Sequence, residues 1–253
     1  MRRFRRPRPA PRPLSAVRRR AVPTLLVALV FVAAIGGASS YSAPGRAQPT
    51  GGQPTAAAQP SADQAVQSVQ AFYEKSTTFK SDFQQKFWVK AYNHEKTSSG
   101  HVTFAKPGKM EWVYDDPKDN RVVSDGKIIR VYEASNKQMF EQPVDTTQYP
   151  AALSFLTGTG KLTDSFDFQL FPGPDMKFPG GYVLVGTPKQ PTPAYSKVLF
   201  YVDAATSQVR RVMVIDGQGN RNRFDFVSPR VNEPVAPTQF TFTPPPGTSI
   251  VRP

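Results

Sequence analysis

The spacing of hydrophobic residues divides the chain into one helical stretch and a long series of strands. Across SADQAVQSVQAFYEKST, hydrophobic residues recur at helical spacing, at Ala65, Val66, Val69, Phe72 and Tyr73. The stretch begins with Ser61, and serine is a preferred N-cap residue. The pattern therefore predicts an amphipathic helix with one polar face and one apolar face.

From Phe79 onward hydrophobic residues recur at every second position instead of at helical spacing. The segment FKSDFQQKFWVKAY predicts a strand with Phe79, Phe83, Phe87, Val89 and Ala91 mostly on one face. RVVSDGKIIRVY predicts a hairpin, because Ser-Asp-Gly-Lys separates two β-branched runs. Further strands are predicted at VTF, MEWVY, KQMFEQ, SFDFQLF, GYVLVGT, SKVLFYVD, QVRRVMVID, NRFDFV and QFTFT.

No helices alternate with these strands, as a parallel sheet would require. One further helix-length patch, YPAALSFLTG, carries Leu153, Phe155 and Leu156 and ends at Gly158. The fold class is therefore mainly β (α+β), with a large antiparallel sheet of about ten strands that curls. With only two clear helices to cover the inner face of such a sheet, we expect incomplete filling and an apolar pocket.

The segment HVTFAKPGKMEWVYDDP contains two alternating runs around AKPGK, which has the composition of a turn. Met110, Trp112 and Tyr114 fall on one face of the second run. Asp115 and Asp116 point to opposite faces of a strand and precede Pro117, so they predict a turn rather than a catalytic carboxylate pair.

The first 42 residues are typical of an export signal. Met1 to Arg20 contains nine arginines and no acidic residue, and the apolar centre from Leu25 to Ile35 is only 11 residues long. Small residues between positions 38 and 47 offer a cleavage region. An uncleaved anchor is the alternative, because the 18-residue segment from Ala21 to Ala38 approaches spanning length. The three arginines at positions 18–20 also leave a twin-arginine route open.

The segment 43–60 is rich in Pro, Gly, Ala and Gln and predicts a disordered linker that leads to a folded domain at 61–253. Without the nine N-terminal arginines the formal net charge falls from +13 to +4, so nucleic-acid binding is not expected. The chain has no cysteine, which excludes disulfides and an acceptor for N-terminal lipidation.

The sequence gives only weak evidence for catalytic or metal-binding groups. His94 and His101 are the only histidines, and no cysteine accompanies them, so a zinc or iron site is not expected. No serine lies in a G-x-S-x-G elbow. The GTGK segment lacks a phosphate loop's key residues, since Phe155 replaces the first glycine and Leu162 replaces the Ser or Thr. The signal for catalysis in the residues themselves is therefore weak throughout.

An ordered set of motifs resembles one known family. After the helix come F-x-x-x-F-x-Q-K from Phe79, then G-x-x-x-F-x-K-P-G-x-M-x-W-x-Y from Gly100. VVSDGK follows from Val122, and FTFTPPPGT closes the series at Phe240 to Thr248. In this order and spacing, from about Val66 to Val251, the chain resembles the outer-membrane lipoprotein carrier proteins (LolA family).

The resemblance implies a half-open antiparallel β-barrel with a helical lid over an apolar cavity. It implies a monomeric periplasmic chaperone that receives the acyl chains of lipoproteins released by an inner-membrane ABC transporter. The chaperone passes them to an outer-membrane acceptor lipoprotein. The resemblance also implies that the protein is not an enzyme and uses no cofactor. The implied cavity and lid residues are Val69, Phe72, Phe83, Phe87, Met110, Trp112, Tyr114, Leu153, Phe155 and Leu156. The residues leave three alternatives open: a regulator that senses lipoproteins, a carrier of free lipids and a secreted hydrolase.

Lys106 departs from the family pattern. The family usually has an arginine before this proline, and that arginine bonds the carbonyls of the lid helix to hold the empty form closed. A lysine can donate to carbonyls but lacks the planar guanidinium, so the resemblance implies a weaker or different latch here. The alternative is a lysine that faces solvent at a turn.

Overall fold

Helix α1, Ala62–Lys75, begins where the sequence predicts its N-cap. Ser61 Oγ accepts a hydrogen bond from the Gln64 amide (3.2 Å), and the Gln64 side chain accepts one from the Ser61 amide (2.9 Å). This reciprocal capping box satisfies two amides that the helix itself leaves without partners. The apolar face of α1 is buried, as shown by Ala65, Val66, Val69 and Tyr73. The predicted amphipathic helix is confirmed.

The computed structural model describes residues 59–144 and 156–252, and within them twelve strands form a single sheet. The strands are β1 Thr78–Val89, β2 His94–Ala105, β3 Lys109–Asp116, β4 Arg121–Asp125, β5 Ile128–Glu133, β6 Gln138–Pro143, β7 Phe166–Pro172, β8 Gly181–Pro188, β9 Lys197–Asp203, β10 Val209–Ile215, β11 Arg221–Val231 and β12 Ser249–Val251. A one-turn helix, Leu162–Ser165, precedes β7.

The strand order across the sheet is β12-β6-β5-β4-β3-β2-β1-β11-β10-β9-β8-β7. Every neighbouring pair is antiparallel except β12 with β6, which is parallel. Pairing of β1 with β11 joins the two halves of the sequence, while β7 and β12 remain the edges of an open sheet. The predicted mainly β fold with a large antiparallel sheet is confirmed.

The main hydrophobic core lies between α1 and the face of the sheet that it covers, which we call the inner face. The core takes residues from α1 and from strands in both halves of the sheet. A smaller cluster on the outer face packs Val183, Leu199 and Tyr201 against Met176 and Phe178. The cluster on the inner face is the larger of the two, and α1 contributes Ala65, Val66, Val69 and Tyr73 to it.

Local turn chemistry explains the predicted hairpin at SDGK. Asp125 Oδ1 accepts hydrogen bonds from the amides of Lys127 and Ile128, each at 2.8 Å. Gly126 takes a positive φ of 93°, which a side chain would strain. The turn therefore fixes the register of β4 against β5 through its own sequence.

One strand prediction was wrong. QFTFT was expected to be a strand, but Pro237–Phe240 is a 3-10 helix and no strand follows until β12. Pro237 cannot donate to a ladder, Gln239 Nε2 donates to Thr103 Oγ1 (2.9 Å), and Phe240 is buried against the sheet. Docking of side chains therefore replaces strand pairing in this segment.

Three smaller differences concern where the helices and strands begin and end. Ala91, expected on a strand, lies in the 3-10 turn Lys90–Tyr92. Asp115 and Asp116, expected in a turn, remain in β3, and the turn begins at Pro117. Of the helix-length patch Tyr149 to Gly158, only the last three residues lie within the described part of the chain, and the first two of those are helical.

Candidate functional site: the inner face of the sheet and its helical cover

Trp112 is the centre of an aromatic cluster on the inner face. Its ring centroid lies 4.9 Å from that of Phe83, 5.8 Å from Phe104 and 5.2 Å from Phe224, all with edge-to-face geometry. Strand alternation places Met110, Trp112 and Tyr114 on the same face of β3, where Met110 and Trp112 are buried in the main core and the partly buried Tyr114 packs against it. The cluster joins β1, β2, β3 and β11 into one apolar wall.

Gly100 lies beneath two rings of this wall. In the sheet it pairs with Phe83 on one side and with Tyr114 on the other, and the two rings meet above it at 5.2 Å. A Cβ atom on Gly100 would stand 2.0 Å from the carbonyl oxygen of Val113. The missing side chain therefore permits both the close approach of β3 and the contact between the rings. Burial raises the pKa of the Tyr114 hydroxyl.

Helix α1 packs its buried face into the same core, on β7 and β8, and its Tyr73 ring lies 6.3 Å from the Phe79 ring of β1. Val69 has no exposed surface, and the Tyr73 hydroxyl accepts a hydrogen bond from the Val209 amide at 3.1 Å. Burial raises the pKa of Tyr73, so this hydroxyl stays neutral. Phe72 is only partly buried and lines a groove of about 370 Å³ between α1 and the end of β11. The seam between helix and sheet is therefore open along one side.

A second segment contacts α1 from the other side. Leu156 and Leu162 are buried in the main core, and the Leu162 amide donates to Gln70 Oε1 of α1 at 3.1 Å. Leu153 and Phe155, which were expected to lie under the lid, fall outside the described residues. Of the three predicted residues in this segment, Leu156 is the one that the structure brings together with α1 in the core.

Phe87 occupies a different environment from Phe83. Alternation along β1 places it on the same face, but it is half-buried and outside the main core. Between them lies Gln85, a buried residue whose Nε2 donates to Asn222 Oδ1 at 2.9 Å. This polar pair interrupts the apolar wall towards the tip of the β1–β2 hairpin. Sequence reasoning missed it, although Gln85 is part of the F-x-x-x-F-x-Q-K motif.

Lys106 connects the β2–β3 turn to the carboxyl end of α1. Its Nζ donates to the carbonyl oxygen of Tyr73 (2.5 Å) and to that of Glu74 (3.3 Å). These carbonyls belong to the last turn of α1, where a positive charge is favoured by the helix dipole. Burial lowers the pKa of Lys106, and the Glu74 carboxylate partly offsets this effect.

The same turn also contacts the segment that follows residue 155. The stem of Lys106 lies over Gly158, where a Cβ atom would stand 2.7 Å from Lys106 Cδ. The Gly108 amide donates to the Thr157 carbonyl at 2.9 Å. Among the described residues, the β2–β3 turn therefore contacts both α1 and the segment from residue 156, and the Lys106 side chain touches each of them.

Replacing Lys106 with methionine should loosen α1, because the methionine keeps the stem but loses both hydrogen bonds. We expect amide exchange in residues 62–75 to accelerate about fivefold, which corresponds to about 1 kcal/mol for charged hydrogen bonds that solvent partly screens. Lys106→Arg should retain slow exchange.

Lys80→Met is the matched control, since Lys80 Nζ donates to the carbonyl of Pro234 (3.0 Å) away from the helix. Unchanged exchange of α1 in Lys106→Met would remove Lys106 from any role in holding the cover.

Comparison with known proteins agrees with this architecture. The family model of the outer membrane lipoprotein carrier protein LolA matches residues 74–243, so the chain belongs to that family. The outer-membrane lipoprotein carrier protein of Nitrosospira multiformis is 26% identical over 188 residues, which cover 74% of this chain and 87% of the relative. The Bordetella avium carrier is 27% identical over 191 residues, covering 76% and 88%.

A solved LolA superfamily protein from Nitrosomonas europaea superposes with a TM-score of 0.42 at 12% identity, covering 73% of this chain and 99% of the other. Because that score is low, family membership rests on the sequence matches. No helix among residues 59–144 and 156–252 has the length and hydropathy to cross a membrane.

Proposed function

We propose that the chain is a non-enzymatic periplasmic carrier that shields the acyl chains of lipoproteins on their way from the inner to the outer membrane. The observation that carries the proposal is the aromatic wall under α1, whose last turn accepts hydrogen bonds from Lys106. Family membership supports it, since the relatives are named as carriers of outer-membrane lipoproteins.

The energetics of acyl chains fit such a wall. At about 0.8 kcal/mol per CH₂, leaving a chain of about 15 methylenes in water costs on the order of 12 kcal/mol. A carrier must cover nearly all of that surface without covalent attachment. Aromatic and aliphatic side chains suit a flexible acyl chain, because contact area rather than directed hydrogen bonds provides the affinity.

Loading requires α1 to move. In the closed arrangement Phe83, Phe104 and Trp112 contact one another directly, and Val69 is fully buried above the sheet. Cargo therefore takes the place that α1 occupies when the site is empty. The Lys106 hydrogen bonds oppose opening only modestly, which allows a ligand to shift the equilibrium to the open form.

The proposed cavity and lid residues are Val69, Phe72, Phe83, Phe87, Met110, Trp112, Tyr114, Leu153, Phe155 and Leu156. Export by the N-terminal signal, followed by cleavage and a flexible linker, would place the folded domain in the periplasm. There an inner-membrane ABC transporter would supply cargo and an outer-membrane acceptor would receive it. No cofactor takes part in this scheme.

Photocrosslinking inside cells tests the cargo directly. With p-benzoylphenylalanine at Tyr114 on the inner face, we expect adducts with triacylated lipoproteins. The same probe at Phe178 is the matched control, because this half-buried ring packs on Tyr201 on the outer face (5.5 Å between centroids). Adducts at Tyr114 that contain free lipid but no protein would favour a lipid carrier instead. Equal lipoprotein adducts at both positions would contradict the proposal.

A further inference from the structure

The β1–β2 hairpin projects beyond β3 at the end of the sheet opposite Lys106, while β11 runs beside β1 as far as the pair Trp88–Arg221. Pairing of β1 with β2 continues to Val89 and His94, whereas pairing of β2 with β3 begins only at Ser99. At about 3.3 Å per residue, the hairpin extends roughly 16 Å past the end of β3. The carboxylates of Asp115 and Asp116, at that end of β3, are set back from the tip by the same length.

The tip presents an aromatic ring to solvent. Tyr92 is 83% exposed, about twice the 42% of Val227, the next most exposed large hydrophobic residue in the described part of the chain. The turn beneath it is held in place: Trp88 Nε1 donates to Asn93 Oδ1 (3.2 Å), and the Lys90 amide donates to Asn220 Oδ1 (2.9 Å). An ordered turn thus exposes the ring, where burial would normally be favoured.

Cations lie on both faces of the hairpin near its tip, because Lys96 pairs with Phe87 on the inner side and Arg221 pairs with Trp88 on the outer side. We define the hairpin-tip cluster as Lys86, Trp88, Lys90, Tyr92, Lys96 and Arg221. The Arg221 guanidinium lies 5.1 Å from the Trp88 ring, and Lys86 pairs with Glu95 at 3.0 Å. Among residues 59–144 and 156–252, no carboxylate forms a salt bridge with the other three cations. Four positive charges therefore accompany one carboxylate of the hairpin, Glu95, and the carboxylate of the adjoining β10–β11 turn, Asp216, is buried.

A groove beside the tip adds a place for a bound anion. It has a volume of about 240 Å³ on the outer face and is lined by Lys86, Trp88, Glu95, Met213, Arg221 and Arg223. Its Arg223 is paired with Asp225 and its Lys86 with Glu95, so the Arg221 guanidinium above an apolar floor is the cation that a bound anion would meet, and the inner face does not contribute to the groove. This combination matches a phosphate group attached to a lipid, because headgroup phosphates bind cations while Trp and Tyr prefer the membrane–water interface.

We propose that the hairpin-tip cluster is a membrane-contact surface that seats on anionic phospholipid headgroups. The Tyr92 ring enters the interfacial region, and Lys90, Lys96 and Arg221 contact phosphates. This surface lies roughly 40 Å from the Lys106 turn, given the 12-residue length of β1. The carrier can therefore touch a membrane at one end while its cover opens at the other. The contact does not depend on which cargo the inner face binds.

Vesicle co-sedimentation tests the proposal with protein purified from the periplasmic fraction. We expect binding to vesicles of equal parts phosphatidylglycerol and phosphatidylcholine, and little binding to phosphatidylcholine alone. Lys90→Glu/Lys96→Glu should weaken binding by about 25-fold or more, at about fivefold per cation removed. That difference should shrink at high salt, because screening weakens only the charge contribution. Tyr92→Ser should weaken binding at every salt concentration.

Lys177→Glu and Phe171→Ser serve as matched controls, since both residues are exposed near the opposite end of the strands. They should bind vesicles as the unmodified chain does, and all variants should keep the same urea midpoint. Equal binding to both kinds of vesicle would overturn the proposal. The proposal would also be overturned if neither Tyr92→Ser nor Lys90→Glu/Lys96→Glu weakened binding to the anionic vesicles.

Discussion

Trp112→Ala should lower the free energy of unfolding by about 3–5 kcal/mol, the range found for large aromatic residues removed from a core. Trp112 is 4% exposed and contacts Phe83, Phe104 and Phe224, so its loss leaves a cavity that rings from three other strands cannot fill together. Urea unfolding followed by far-ultraviolet circular dichroism measures the change.

Trp88→Ala is the matched control, because this half-buried tryptophan lies on the outer side of β1. This variant loses the stacking of Arg221 and one hydrogen bond to Asn93, so we expect its free energy of unfolding to fall by about 1 kcal/mol. Equal destabilisation by the two substitutions would mean that the aromatic wall is not the centre of the core.

Gly100→Ala should destabilise the protein by about 3 kcal/mol, at the upper end for overpacking in a core. The new Cβ would lie 2.0 Å from the Val113 carbonyl oxygen, so β2 and β3 must separate locally. Separation would also disturb the contact between Phe83 and Tyr114 that lies over this glycine. Thermal and urea unfolding both report the loss.

Gly217→Ala provides the comparison, since no atom lies within 4 Å of the place that its new methyl group would take. Its effect should stay within about 0.5 kcal/mol, as for other surface changes. A Gly100→Ala protein as stable as Gly217→Ala would contradict the close approach of the two strands.

Local signals account for the parts of the fold that the sequence predicted well. The Ser61 cap, the SDGK turn and the alternation in β3 each depend on residues close together in the chain. QFTFT shows where such signals fail. Its alternation is genuine, but Pro237 and the docking of Gln239 and Phe240 on distant strands decide its conformation.

Some residues of the candidate site are likewise predicted by local patterns, and others are not. Alternation alone placed Met110, Trp112 and Tyr114 on one face, whereas the role expected of Lys106 came from the resemblance to a family. The Gln85–Asn222 pair joins residues far apart in the sequence, and no local pattern reveals it. The projection of the β1–β2 hairpin also escaped prediction, because it depends on where the neighbouring strand β3 ends.

The central claim is that the inner face holds the acyl chains of lipoproteins. Native mass spectrometry of the chain isolated from periplasm, while outer-membrane delivery is blocked, tests it most directly. We expect a one-to-one complex with a triacylated lipoprotein that disappears in Met110→Glu and persists in Met176→Glu, whose methionine lies on the outer face away from the hairpin-tip cluster. Protein that carries only free lipid, or no ligand, under the same block would contradict it.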